Sequence, residues 1–376
     1  MIRTRGDEAE SETRVHGRSI GRAGRGGALP GGMAVMGAVC SLAVRAPSLQ
    51  AATPIAQPVK IAVISDTGDG AEFQSVLTLI QRNHAQLVIH SGGLSQSSSI
   101  ETWVRKVNTT LGAAFPYFLA KGNLDVPEWG DLRTDACRGA VETYAEFQRC
   151  HLDAAGITPA LHDDADRYAV TYQGVKIVLL SEAANPVTNA AFIREQLGGD
   201  DHLWKLCAWH ETQHELQMGT RSNEMGWEPY DACRQAGALI MTGHEYSYER
   251  TYPMTDVQHL TKDPSCSSNP AVVCVSPGRT FVTVSGLGGT GIRNQDRCLP
   301  TTFPYGQGLD ATDGNSRCNG LWAKLYTSDQ GATFGALFIT FNVGGDPTMA
   351  QAEFMTIRGD VADRFIITDV HNAGSV

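Results

Sequence analysis

The sequence lacks several things that would place it quickly. No apolar run reaches the roughly 18 to 20 residues that a bilayer-crossing helix needs. The longest, over residues 33–44, is cut short by Arg45, so no transmembrane segment is expected. Positive charge is scarce: 30 Lys and Arg stand against 40 Asp and Glu, a net charge of −10. Seven of the Arg lie in the first 58 residues, which hold no Lys and four acidic residues, so the body of the chain is more acidic than the whole. A partner recognised through its phosphate backbone needs clustered Lys and Arg, and no nucleic acid is expected. Nine cysteines occur without one Cys-x-x-Cys spacing, which argues against a thiolate zinc site. No internal repeat is found. With 42% hydrophobic and 19% charged residues, the composition excludes collagen-like and wholly disordered chains.

What is present begins with a leader. Residues 1–58 are rich in Gly, Arg, Ala and Ser without periodic hydrophobicity. Basic residues (Arg14, Arg18, Arg22, Arg25) precede the apolar run and small residues follow it, the order of a secretory signal, while an Arg-rich, Lys-free stretch also suits an organelle transit peptide. The segment is read as leader and linker, and a secreted, secretory or organellar location is expected. Cys137 with Cys150, Cys266 with Cys274, and Cys298 with Cys318 fall in loop-like sequence where short bridges staple irregular backbone. Cys207 and Cys233 lie in apolar strand-like and helix-like contexts and are expected to be buried free thiols.

A single folded domain is expected over residues 59–376. Residues 59–65 form a short apolar run of the kind buried in a sheet, and Phe73, Val76, Leu77 and Ile80 follow at helical spacing within 72–83. Strands are expected at 86–90, 117–120, 168–172, 175–181, 204–210 and 238–242, with a helix at 100–111. Such alternation implies a layered α/β fold. After residue 280 the pattern changes to strands at 280–285, 335–342, 354–357 and 365–368 with few helices.

Small or polar clusters recur directly after these strands: Asp66-Thr67-Gly68, Ser91-Gly92-Gly93, Gly122-Asn123-Leu124-Asp125, His210, and Gly243-His244-Glu245-Tyr246. Ligands collect where the strands of α/β sheets end, because loops converge there. In this order the clusters resemble the metal-binding blocks of the calcineurin-like metallophosphoesterases, and most of all the purple acid phosphatase branch. That family carries Asp-x-Gly, Gly-Asp-x-x-Tyr, Gly-Asn-His-Asp or Glu, a strand ending in His, and Gly-His-x-His. The aromatic run Tyr246-Ser247-Tyr248 also resembles the family's continuation after the last block. The resemblance implies a four-layer α/β/β/α sandwich of two mixed β-sheets flanked by helices.

The departures fall on the chemistry. The family's bridging Asp corresponds to Gly93, its Tyr ligand to Gln96, its catalytic His to Leu124, and the second His of its last block to Tyr246. The resemblance therefore leaves Asp66, Asn123, His210 and His244 as metal ligands and no certain catalytic residue. Two neutral imidazoles and an amide hold a divalent ion weakly without a carboxylate, so at most one divalent transition metal (Fe, Mn or Zn) is expected. A phosphate-ester small molecule is the expected ligand. The chain is read as a weak or inactive phosphatase, the alternative being a hydrolase with a rearranged mononuclear site. Asp66 is the obvious carboxylate; Asp125, Glu245, His90 and His214 are near in sequence and are substitute ligands, the plainer reading being Asp125 as a turn residue, Glu245 as exposed, and His90 and His214 as surface groups. Changing Gly93 to Asp, Leu124 to His and Tyr246 to His together is expected to rebuild the centre. Residues 286–291 fit Gly-x-Gly-x-x-Gly, but no helix follows, so they are taken as a glycine-rich loop near the pocket rather than a dinucleotide site.

Overall fold

In a computed structural model, the described residues are 56–370, excepting 97–98, 135, 138–140, 163–165, 182–184, 307–317 and 319. The expected leader therefore lies almost wholly outside the described residues. Two large sheets are built from the runs that the sequence marks. The first has seven strands in the order Val272–Val275, Val361–Asp369, Met349–Thr356, Gly335–Phe341, Val59–Ile64, Leu87–Ser91 and Tyr117–Ala120. The second has eight: Trp322–Tyr326, Tyr248–Thr251, Val282–Ser285, Leu239–Thr242, Trp204–Ala208, Val175–Leu179, Tyr168–Tyr172 and Ala160–Leu161. Both are mixed, with parallel pairing among the N-terminal strands of the first sheet and among Val175–Leu179, Trp204–Ala208 and Leu239–Thr242 in the second.

Alternation along the strands explains the layering, since successive side chains point to opposite faces. In Val59–Ile64, Ile61 and Val63 face the second sheet and share a core with Ile177, Leu206 and Leu239. Ala62 and Ile64 face the other way, onto Phe73, Val76, Leu77 and Trp103 of the helices Ala71–Arg82 and Ile100–Thr110. Val178, Cys207 and Ile240 in turn face Phe192, Ile193 and Tyr230 of Pro186–Leu197 and Glu228–Ala236. Each of the buried Val, Ile, Leu and Phe side chains among these contributes roughly 1.5–3 kcal/mol by transfer. Sheet on sheet with helices outside is the expected four-layer α/β/β/α sandwich.

Four disulfides cross-link the described residues: Cys137–Cys150, Cys207–Cys233, Cys266–Cys274 and Cys298–Cys318. Three match the expected pairs. The fourth corrects the reading of Cys207 and Cys233 as free thiols. Cys207 points outward from its strand and Cys233 inward from the helix packed on that face, with Cα atoms 6.5 Å apart. An apolar setting is the same for a bridged and an unbridged pair, so only the packing of helix on sheet brings the two sulfurs together. Four bridges are compatible with an oxidising compartment.

Candidate functional site

The site forms where strand ends of both sheets meet. Asp66 follows Val59–Ile64 and takes a left-handed backbone conformation, φ 58°. Its amide and that of Thr67 donate to the carbonyls of Gly92 and Gly93, tying the first block to the second. The Asp66 carboxylate is 1% exposed and accepts from Ser65 Oγ (2.8 Å), the His244 backbone N–H (2.8 Å) and Gln96 Nε2 (3.3 Å). Burial nevertheless pushes its pKa well above the usual carboxylate value. His244, at φ 70°, thus carries the second sheet onto the first.

The two histidines that follow Trp204–Ala208 and Leu239–Thr242 meet face to edge, with His244 Nδ1 3.0 Å from His210 Nε2. His210 Nδ1 lies 2.8 Å from the Ser91 carbonyl, and its Nε2 is 3.9 Å from Asp66 Oδ1. Both rings are buried and held neutral: desolvation lowers His210 to about 4 and His244 to about 2, with nearby Arg221 adding to the effect on each.

The structure therefore brings three of the four candidate ligands together. Asn123 is exposed, and its Oδ1 accepts from the Leu124 N–H within its own turn. Leu124, at the position of the family's catalytic His, is 53% exposed and offers no polar group. The replaced positions are joined by their own hydrogen bonds: Tyr246 donates to Gln96 Oε1 at 3.2 Å, and Gln96 donates to Asp66. A neutral polar chain thus satisfies the carboxylate where the family's first metal would need ligands.

A two-metal centre does not fit these residues. Gly93 has φ 69°, and a Cβ there would lie 2.8 Å from Asp66 Oδ1 and 3.0 Å from His210 Cε1. No side chain, let alone a bridging carboxylate, enters without displacing Asp66 and His210. A single ion fits better. Two nitrogens on one tetrahedral ion at about 2.0–2.1 Å each stand roughly 3.3 Å apart, and His210 Nε2 and His244 Nδ1, at 3.0 Å, come close to that spacing and could share an ion once the proton between them is lost.

Asp125 closes the base of the site. It is the expected turn residue, but it is also buried: Oδ2 accepts from the N–H groups of Gly93 (3.0 Å) and Gly122 (2.8 Å), and Oδ1 from Leu94 (2.8 Å). Glu245 corrects an expectation. It is 1% exposed rather than solvated, and Arg221 (3.0 Å) and Arg293 (3.3 Å) grip its two oxygens. His90 is likewise fully buried, because the helices on the outer face of its strand cover it; its Nδ1 pairs with Tyr117 OH at 3.0 Å. His214 is half-buried, with Nδ1 2.7 Å from the Arg221 carbonyl. The glycine-rich loop does lie on the site, since Gly288 and Thr290 donate to the carbonyls of Ser65 and Asp66.

Sequence reasoning missed one cluster. Among the described residues, two groups of His, Cys, Asp and Glu place ligand atoms within 4.8 Å of one another: Asp200, Asp201 and His202 at the surface, and Glu211, Glu224 and His244 beside the site. Glu211 adjoins His210 in sequence and was within reach of inspection. Glu224 was not, because it arrives on a loop folded back so that its N–H donates to the Thr212 carbonyl.

The profile of the calcineurin-like phosphoesterase family matches residues 59–248, just over half of the chain. The chain belongs to this family. Its fold is similar to that of the purple acid phosphatase PPD1 from yellow lupin (Lupinus luteus) seeds, with TM-score 0.54, 16% identity, and coverage of 84% of this chain and 54% of the lupin protein. The chain thus spans about half the length of that relative. Two further solved structures are similar: GAP50, the anchor in the inner membrane complex of Plasmodium (TM-score 0.49, 9% identity, 83% and 89% covered), and PhoD (TM-score 0.47, 11% identity, 83% and 70% covered). No curated protein sequence matches the chain.

Proposed function

We propose that this phosphoesterase-family chain is a weak or inactive phosphatase that binds at most one divalent transition metal, Fe, Mn or Zn, or a phosphate-containing small molecule, and that it is secreted or resides in a secretory or organellar compartment. The observation that carries the reading is the blocked bridging position at Gly93. Two-metal phosphoester hydrolysis needs both ions held about 3.5–4 Å apart so that one presents the nucleophile while both steady the developing charge. Without the bridge, that geometry is lost. Leu124 supplies no proton to a leaving group, a role worth about 10²- to 10⁴-fold where it exists. The near-complete burial of Asp66, His210 and His244 supports the same reading, because a substrate phosphate has no direct access to them.

The second reading, a hydrolase with one ion, is favoured by the 3.0 Å approach of the two imidazoles. Elemental analysis of the purified chain beside an aryl-phosphate assay with added Mn, Fe, Zn and Mg separates the two. At most one ion per chain and no turnover above the metal-free blank is the expected result. One ion with turnover lost on chelation supports the second reading, and two ions with turnover overturn both.

A further inference from the structure

The hydrogen bonds of His210 and His244 fix where each ring carries its proton. The Ser91 carbonyl can only accept, so His210 Nδ1 is the donor in their 2.8 Å bond. A neutral His210 then presents a lone pair at Nε2. His244 Nδ1 stands 3.0 Å from that lone pair, and a bond there requires the proton on His244 Nδ1. The neutral His244 ring is left with a bare lone pair on Nε2.

That lone pair is buried, makes no hydrogen bond, and points at Glu224 Oε2, 3.3 Å away, which is itself buried without a hydrogen-bond partner. Two electron-rich atoms facing each other repel unless a positive charge joins them, and although the Glu224 side chain as a whole is 24% exposed, neither of the facing atoms reaches solvent. The Glu211 carboxylate completes the group, with its ligand atom within 4.8 Å of the other two. An imidazole Nε2 whose opposite N–H is held by an acceptor is the usual geometry of a ligating histidine.

We propose that Glu211, Glu224 and His244 Nε2 form a binding site for one divalent transition-metal ion, on the far side of His244 from Asp66 and His210. One imidazole and two carboxylates suit Zn(II) or Mn(II), and the two carboxylates balance the charge of the ion. His210 acts as a positioning residue, fixing the His244 ring through Nδ1. The guanidiniums of Arg221 and Arg293 lie nearby and share the single Glu245 carboxylate, at 3.0 and 3.3 Å, so one of the two positive charges is countered there and an ion at this site needs both Glu211 and Glu224. The site rests on the single-ion part of the proposed function, but it moves the ion away from the family's ligand set.

The test uses the full chain, stripped with a chelator and then titrated with Zn(II) by calorimetry and with Co(II) by absorption. One ion per chain is expected, with Co(II) d–d bands of a low-coordinate N/O site. Glu224→Gln and Glu211→Gln, each nearly isosteric, should each weaken binding by at least tenfold, and Asp201→Asn, in the exposed second acidic group, should change it by less than threefold; Asp66→Asn is titrated beside them. Circular dichroism reports whether each variant is folded, and should Glu224→Gln fail to fold, Glu211→Gln carries the same test. An ion retained by both Gln variants but lost in Asp66→Asn overturns this location while leaving the single-ion reading intact. A wild-type chain that takes up no ion overturns both, with a shared proton then linking Glu224 and His244.

Discussion

Gly93 can be probed without any metal present. In Gly93→Ala the added methyl must sit at φ 69°, where an L-residue costs about 1–2 kcal/mol. It must also sit 2.8 Å from Asp66 Oδ1, 3.0 Å from His210 Cε1 and 3.1 Å from Asp66 Cα. The last of these is backbone pinned by hydrogen bonds to the second block, so it cannot swing away as a flexible side chain would. Overpacking of this kind costs about 1–3 kcal/mol, and the two effects together predict a loss of about 2–5 kcal/mol. Gly156→Ala is the matched control, since Gly156 has φ 67° with nothing within 4 Å of its added carbon, and should lose only the backbone share. Urea unfolding followed by tryptophan fluorescence, compared through midpoints at unchanged slope, measures both. If Gly93→Ala loses no more than Gly156→Ala, the packing argument is refuted. The same geometry argues against the expectation that Gly93→Asp with Leu124→His and Tyr246→His rebuilds the centre. The new carboxylate would crowd Asp66 before any ion arrived, so the triple variant should be destabilised rather than activated.

Other outcomes follow from the buried groups. His210 stays neutral down to about pH 4, whereas an unfolded histidine takes a proton near 6.5. Its contribution is therefore complete above pH 6.5 and is lost as pH falls from 6.5 towards 4, about 3 kcal/mol in all; denaturant titrations across that window should show a slope that His210→Gln reduces. Replacing Cys207 and Cys233 together by Ala reopens a loop of 26 residues and should cost about 3 kcal/mol, read as a lower unfolding midpoint. Asp125→Ala orphans three buried N–H groups, those of Gly93, Leu94 and Gly122, and should cost about 3 kcal/mol or more; Asp125→Asn, which keeps an acceptor, should cost visibly less in the same unfolding assay.

Much of this protein is legible along the chain. Runs such as Val-Lys-Ile-Ala-Val-Ile are buried on both faces, and the spacing of Phe73, Val76, Leu77 and Ile80 determines which side of the helix meets the sheet. Those are local signals, and they locate most strands and the first two helices to within about five residues, whereas Ala160–Leu161, Tyr248–Thr251, Val272–Val275 and Trp322–Tyr326, whose short runs carry no clear period, join the sheets unannounced. The order of the blocks ending in Asp66, Gly93, Asn123, His210 and His244 likewise determines the family, because each block directly follows a strand. What only the tertiary structure decided is which of these residues meet. Asn123 stands in the right block yet turns its amide into its own loop, while Glu224 stands in no block and reaches His244. Glu245 and His90 are polar in sequence and buried in fact, since burial depends on what packs against a residue from elsewhere in the chain. The two sulfurs of Cys207 and Cys233 meet for the same reason. Contacts between segments far apart in sequence are set by how sheets and helices stack, and no periodicity within one segment encodes them.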